Sequence, residues 1–271
     1  MLRELLAAGY RVRALVREAP AAPNVLPLPD DPNLERISGD LRAVGHFARA
    51  LEGCRFVVHT GALYSFKPSD RAAMHAINVE GTESLLAAAH VAGVERAVLT
   101  SSSATLGHTF PGDAYHASKV AQERAAFAGR VPVVALLPTA PVGPGDWKPT
   151  PTGKLVLDFL QGKIAAKAPG SGGMNLVAVE DVARAHVAAL QLGRAGERYA
   201  LALAAAYADG VRCRIDPAAT PFAPLEGVRM SRERMYADSS KAMRELGFVP
   251  TPVRAALERA VAWYREQGRS P

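Results

Sequence analysis

Tyr115 and Lys119 stand four residues apart, and Ser101, Ser102 and Ser103 run together shortly before them. A phenol and an ammonium at that spacing share one face if the segment is helical, because positions i and i+4 stack along a helix. A phenol is a poor acid near neutrality, with a pKa of about 10, but an adjacent cation favours the phenolate and lowers that value. A serine hydroxyl at the end of the apolar run Arg96–Thr100 could hold a substrate oxygen while Tyr115 protonates or deprotonates it. The set therefore has the layout of a proton-transfer site. Tyr and Lys fall four apart on many helices by chance, so the serine run at a strand end gives the spacing its weight.

The elements that must position these residues alternate. Leu2–Ala8 reads as a helix stopped by Gly9, and Arg11–Val16 as a strand. A Pro-rich loop from Pro20 to Pro32 leads to a short strand ending at Gly39-Asp40-Leu41, then a helix around His46 to Leu51. Arg55–Thr60 is a buried strand, Arg71 to Ala92 is helical, and the Arg96 strand precedes the Tyr115 helix and the strand Val131–Leu137. Strands alternating with helices predict an α/β fold: a doubly wound parallel sheet with helices on both faces and right-handed crossovers. Beyond Pro138 the alternation weakens into turn-rich sequence, a helix near Leu155 to Gln161, and a strand entering a helix at Asn175–Val182. Residues 1–140 are read as one domain and 141–271 as a smaller, mainly substrate-binding part, with a strand and helix near 175–200 returning to the core. Pro252 to Gln267 closes the chain as an amphipathic helix with Val253, Leu257, Val261 and Tyr264 on one side.

A chain of 271 residues, 49% hydrophobic and 21% charged, can bury a core without staples. Its net charge of +6 is scattered through residues such as Arg3, Arg36, Arg124, Arg184 and Arg244, which argues against a nucleic-acid surface and weakly favours small anionic ligands. Cys54 and Cys213 lie far apart without metal-ligand spacing, so they read as reduced, buried thiols of a cytoplasmic protein, and no metal site is expected. Leu155–Leu160 is too short to span a bilayer and is interrupted by Asp158, and Met1-Leu-Arg-Glu is not a signal peptide.

Thr100–Gly107 together with Tyr115-x-x-x-Lys119 resembles the short-chain dehydrogenase/reductase superfamily, in its extended branch of sugar epimerases and dihydroflavonol-reductase-like enzymes. Gly39–Arg42, Val57–Ala62, Ile77–Thr82, Asn175–Ala183 and Ser239–Gly247 fall in that branch's order, nearly end to end. Pro141–Asp146, Lys148–Gly153 and Glu226–Met230 look most like the hopanoid-associated sugar epimerases. The resemblance implies that residues 1–140 form a Rossmann-like dinucleotide-binding domain, with Tyr115 as general acid/base and Lys119 as its pKa modifier and a donor to the nicotinamide ribose. It implies Ser103 as the group orienting the substrate oxygen, and Asn78 as the residue that kinks its helix and holds a water of the proton relay. Asp40 would meet the adenine amino group, while Leu41, Thr60, Gly61, Ala62 and Ser101 line the cofactor and Pro138 and Thr139 border the nicotinamide. Arg17 closes the first strand where NAD-selective enzymes place a carboxylate. A guanidinium there suits a 2′-phosphate, so NADP is preferred over NAD, although Arg17 beside Glu18 also reads as a solvated strand end. A homodimer through the helices that contain Asn78 and Tyr115 is a further implication.

The sequence also departs from the pattern. The branch opens with a strand and a Gly-rich turn that seats the pyrophosphate on a helix N-terminus, whereas Met1 falls where that first helix is already under way. A central strand and the phosphate loop are therefore expected to be lacking, which leaves backbone groups unpaired within the sheet. A natural polypeptide longer than this sequence, or a truncated paralogue with weakened cofactor binding, would account for it. The intact Ser, Tyr and Lys set favours the former, and a natural intact mass of 28.6 kDa would defeat it. The Ser103–Tyr115 and Tyr199–Glu226 stretches are also short for the branch. The function read from all this is an NAD(P)-dependent oxidoreductase or epimerase acting on a secondary alcohol or ketone, such as a nucleotide-linked sugar. The alternatives are a non-catalytic dinucleotide sensor or scaffold, and a reductase of small ketones or aldehydes.

Overall fold

The computed structural model describes residues 1–17, 30–65, 67–107, 114–163, 173–202 and 234–269. Most of the Pro-rich stretch after Pro20, Cys213, the Glu226–Met230 motif and most of the Ala-rich patch near Ala204 lie outside them. The apolar runs form the centre. Strands β3 (Phe56–His59), β4 (Arg96–Thr100), β5 (Val133–Pro138) and β9 (Arg198–Leu201) pair in that order, all parallel. Between β5 and β9 in the chain come β6 (Ala140–Val142), α5 (Pro151–Leu160), β7 (Gly173–Met174) and β8 (Leu176–Ala178), and β6 pairs with β8. Every residue of β5 is buried, as a strand covered on both faces must be.

Side chains alternate between the two faces. Val98, Val134 and Leu136 pack with Val182, Ala185, Ala189 and Leu190 of α6 (Val179–Leu192) and with Leu5 of α1 (Leu2–Ala7). Ala97, Leu99 and Val133 pack on the other face with Leu85, Leu86 and Ala89 of α3 (Gly81–Val91) and Ala126 of α4 (Ala114–Ala128). The helix order and both faces are those expected of a doubly wound sheet.

Strands β1 (Val12–Val16) and β2 (Leu34–Ser38) pair in parallel with each other, separately from the four-stranded sheet. The interruption falls between β1 and β3. Side chains bridge it. Tyr10 meets Phe56 edge to face with ring centres 6.2 Å apart, and Arg13 donates to the carbonyls of Ala50 and Glu52 at 3.0 and 2.7 Å.

Several expectations need correction. The helix around His46 to Leu51 is two short 3-10 segments, Leu41–His46 and Ala48–Leu51, because six residues containing Gly45 are too few to sustain an α-helix. Helix α2 (Arg71–Met74) runs through a π-helical stretch, His75–Glu80, into α3. The closing helix, of which Val253–Glu266 are helical, buries Ala256, Ala260 and Tyr264. Leu257 is only partly covered there, because alanines let the helix approach Val142 and Ala178 closely. Cys54 is half-buried, with its thiol donating to the Ala50 carbonyl at 3.4 Å. Among the described residues no helix is long and apolar enough to cross a membrane.

Candidate active site at the carboxyl ends of the strands

Helix α4 carries the expected Tyr115–Lys119 pair, and its inward face is unusually polar. Ser118, Lys119, Gln122 and Glu123 are all buried. Groups taken out of water at such positions must find partners, and each does. The Lys119 ammonium donates to the carbonyl of Thr100, the last residue of β4, at 2.9 Å and to Gln122 Oε1 at 2.5 Å. Two acceptors therefore serve its three N–H bonds among the described residues. Burial pushes the ammonium down to about 8, partly opposed by Glu123. Tyr115 lies one turn away, edge to face with Tyr64 at 4.3 Å between ring centres.

Asn78 lies on the π-helical stretch and is fully buried. Its Oδ1 accepts from Leu63 N at 2.7 Å, while Nδ2 donates to Leu63 O and Ser118 Oγ at 3.0 and 3.1 Å. Ser118 in turn donates to the Tyr115 carbonyl at 2.8 Å. Asn78 thus ties the loop after β3 to the first turn of α4. Its own carbonyl accepts from Thr82 Oγ1 at 2.7 Å. The expected kink takes the form of wider π winding, and the side chain is engaged by protein groups.

The structure sorts the three serines. Ser101 is buried and donates to Glu123 Oε2 at 2.5 Å, so its hydroxyl is committed away from any cofactor. Ser102 caps a 3-10 turn, Ser103–Leu106, by accepting from Ala104 N at 3.2 Å. Ser103 is half-buried at the start of that turn and has no hydrogen-bond partner among the described residues. Of the three, Ser101 alone spends its hydroxyl proton on a described residue. The turn packs against α4, and Arg198 of β9 braces it by donating to Thr105 O and Oγ1 at 2.9 and 2.8 Å.

The other expected cofactor residues line the same edge of the sheet, where open α/β folds bind ligands. Thr60, Gly61 and Ala62 follow β3, and Pro138 ends β5. Thr139 donates through N and Oγ1 to Leu201 O at 3.0 and 3.2 Å. Leu41 wedges against Gly61 so closely that a Cβ there would lie 2.8 Å from Leu41 Cδ1. Asp40 caps the turn after β2, accepting from Arg42 N, Nε and Nη2 at 2.9, 3.0 and 2.8 Å. Those bonds, with the Arg42 charge and that of Arg17, hold its carboxyl down at about 2. Arg17 is exposed at the end of β1, near enough to act on Asp40. Among the described residues no cluster suits a metal ion.

Sequence reasoning missed His59 and His186, two of the three histidines buried among the described residues. His186 Nδ1 donates to Val182 O at 2.7 Å, which leaves Nε2 to accept the Thr100 hydroxyl at 2.6 Å. His59 Nε2 lies 2.8 Å from Thr82 Oγ1, whose proton goes to Asn78, so here the imidazole donates. Burial pushes both rings down to about 4, aided for His59 by the Lys119 cation. In the unfolded chain they take up protons near 6.5, so below that pH the unfolded state binds more protons. Their contribution is therefore complete above pH 6.5 and is lost as pH falls toward 4, at up to about 1.4 kcal/mol per pH unit for each ring. Urea unfolding should show wild type losing stability between pH 6.5 and 5 more steeply than His186→Gln. Equal slopes would contradict a neutral buried His186.

A family model described as the NAD dependent epimerase/dehydratase family matches residues 1–202. The chain is 33% identical, over 99% of its length and 91% of the relative's, to a Synechocystis sp. protein named "Putative dihydroflavonol 4-reductase". The crystal structure of gox2253 matches with a TM-score of 0.80 and 31% identity over 100% of this chain and 95% of that one. MoeE5, solved in complex with UDP-glucuronic acid and NAD, matches with a TM-score of 0.77 and 26% identity over 98% of this chain and 94% of that one.

Proposed function

Since the chain belongs to the NAD dependent epimerase/dehydratase family, we propose that its strand-end site interconverts a secondary alcohol and a ketone, with Tyr115 as the acid/base. Membership in this Rossmann-type family makes the protein an NAD(P)-dependent enzyme. The observation that carries the site assignment is the buried Lys119 ammonium, held on the Thr100 carbonyl at the sheet's carboxyl edge with Tyr115 one turn away. In the oxidative direction the Tyr115 phenolate accepts the hydroxyl proton, and the Lys119 charge stabilises that phenolate. Ser103 orients the substrate oxygen, while Asn78 holds the first turn of α4 in place. When bound, the nicotinamide supplies hydride transfer at the carbon. Lys119 and Thr139 would hold the nicotinamide end, and Asp40, Leu41 and Gly61 the adenine end.

On the substrate side, residues 141–271 supply the pocket, with the segment near 175–200 returning to the sheet. A nucleotide-linked sugar is the substrate class we favour, since MoeE5 carries one. Reduction of a small ketone is the second reading, and the name of the Synechocystis relative supports it. We assign NADP as the preferred cofactor because Arg17 places a guanidinium at the end of β1. Calorimetric titration should show NADPH binding more tightly than NADH, and no binding of either would remove the whole reading. Arg17→Asp should reverse the preference by roughly 10- to 100-fold, the value of one or two charged hydrogen bonds. An unchanged ratio would reject Arg17 as the selector.

A further inference from the structure

We propose that Gln122 is a positioning residue that sets the location and proton affinity of the Lys119 ammonium, an assignment that rests on the role given to Lys119 above. Lys119 is 2% exposed and Gln122 is 1% exposed, so neither side chain can exchange its partner for bulk water. The carboxamide presents Oε1 to the ammonium at 2.5 Å and Nε2 to Thr82 Oγ1 at 3.1 Å. Its orientation is determined from both ends. A flipped amide would set N–H donors against an ammonium at one end, and carbonyl oxygen against a hydroxyl whose proton is already used at the other.

That hydroxyl donates to Asn78 O at 2.7 Å, so its lone pairs face Gln122 and His59. Donation therefore runs one way, from Lys119 to Gln122 and from Gln122 through Thr82 to the backbone of Asn78. Three elements contribute to it: β3 with His59, α3 with Thr82 and α4 with Gln122. They connect the two ends of the site, Lys119 and Asn78, entirely through buried side chains.

The charged and titratable groups around Lys119 leave this task to a neutral amide. Tyr115 lies one turn earlier on α4. Glu123, on the same helix, is occupied by Ser101, Thr105 and Arg198 of β9. His59 on β3 is neutral above about pH 4, as is His186 of α6 behind Thr100. Gln122 supplies an acceptor without adding charge, so burial can keep the ammonium's proton affinity low, at about 8. Loss of the acceptor would lower it further, and a carboxylate in its place would raise it.

The test follows Lys119 directly, by 13C NMR of protein labelled at lysine Cε, with the signal assigned by its loss in Lys119→Met. Gln122→Met should move the Lys119 midpoint down and Gln122→Glu should move it up, each by about one pH unit. Midpoints unchanged in both variants, or shifted in the same direction, would overturn the proposal. If Gln122→Met does not fold, the upward shift in Gln122→Glu carries the test alone, and no shift there overturns it. The readout needs neither substrate nor cofactor, so a failed dehydrogenase assignment would appear separately, as absent NADPH binding with the Lys119 shifts intact.

Discussion

Tyr115→Phe should lower turnover by roughly 10³-fold, within the range of a lost general acid/base, while leaving the NADPH Kd within about twofold. The substitution removes one oxygen and keeps the ring. Phenylalanine keeps the ring that meets Tyr64 edge to face, and α4 is anchored by Lys119, Gln122 and Glu123 on its buried side. Lys119 still has the Thr100 carbonyl and Gln122, so its position persists. The loss should therefore appear in kcat and in kcat/KM together, the pattern of an interaction made only in the transition state. The assay is NADPH oxidation with any ketone the wild type reduces, alongside calorimetric Kd values. Retained turnover would refute the assignment of Tyr115.

Glu123→Ala should destabilise the protein by about 2–3 kcal/mol, measured by urea unfolding at neutral pH, and lower activity as well. Glu123 is where three segments converge on α4. Its carboxylate accepts from Ser101 at 2.5 Å and Thr105 at 3.1 Å, and Arg198 Nε approaches Oε1 at 2.6 Å. That last contact lacks hydrogen-bond alignment, so it acts chiefly through charge. Breaking a buried ion pair from one side costs about 3–5 kcal/mol, because the remaining charge loses its partner. Arg198 retains 39% side-chain exposure, so water offsets part of that cost and the lower figure applies. Removal also frees the turn that holds Ser103, so kcat should fall although Glu123 touches no substrate. Glu123→Gln keeps an acceptor and should cost about half as much. A Glu123→Ala protein as stable as wild type would show that the cluster is not what braces the turn.

The parts of this fold legible in the sequence were those governed by local periodicity. Val131–Leu137 reads as a strand because its residues are largely apolar without alternation, and Val133–Pro138 forms one buried throughout; Tyr115 and Lys119 share a helical face because a turn is close to four residues long. Boundaries that depend on competing weak terms were less legible. The segment around His46 to Leu51 reads as a helix but Leu41–Leu51 folds as two 3-10 segments, and the π winding at Asn78 has no simple local signal. The closing helix reads as apolar on Val253, Leu257, Val261 and Tyr264, and of these only Tyr264 is buried, beside Ala256 and Ala260.

The sequence alone determined the chemical inventory, a phenol, an ammonium and a run of hydroxyls, and the order of elements that brings them to one sheet edge. Tertiary structure alone decided which of those hydroxyls is spent inside the protein, since Ser101 is claimed by Glu123, 22 residues further along. It also decided what holds Lys119, since Gln122 reaches Thr82, 40 residues away, and His59 joins from a different strand. Spacing in sequence reports which side chains share a face. A buried polar group must take whatever partner the packed core presents, and that partner is set by how strands and helices meet rather than by the residues beside it.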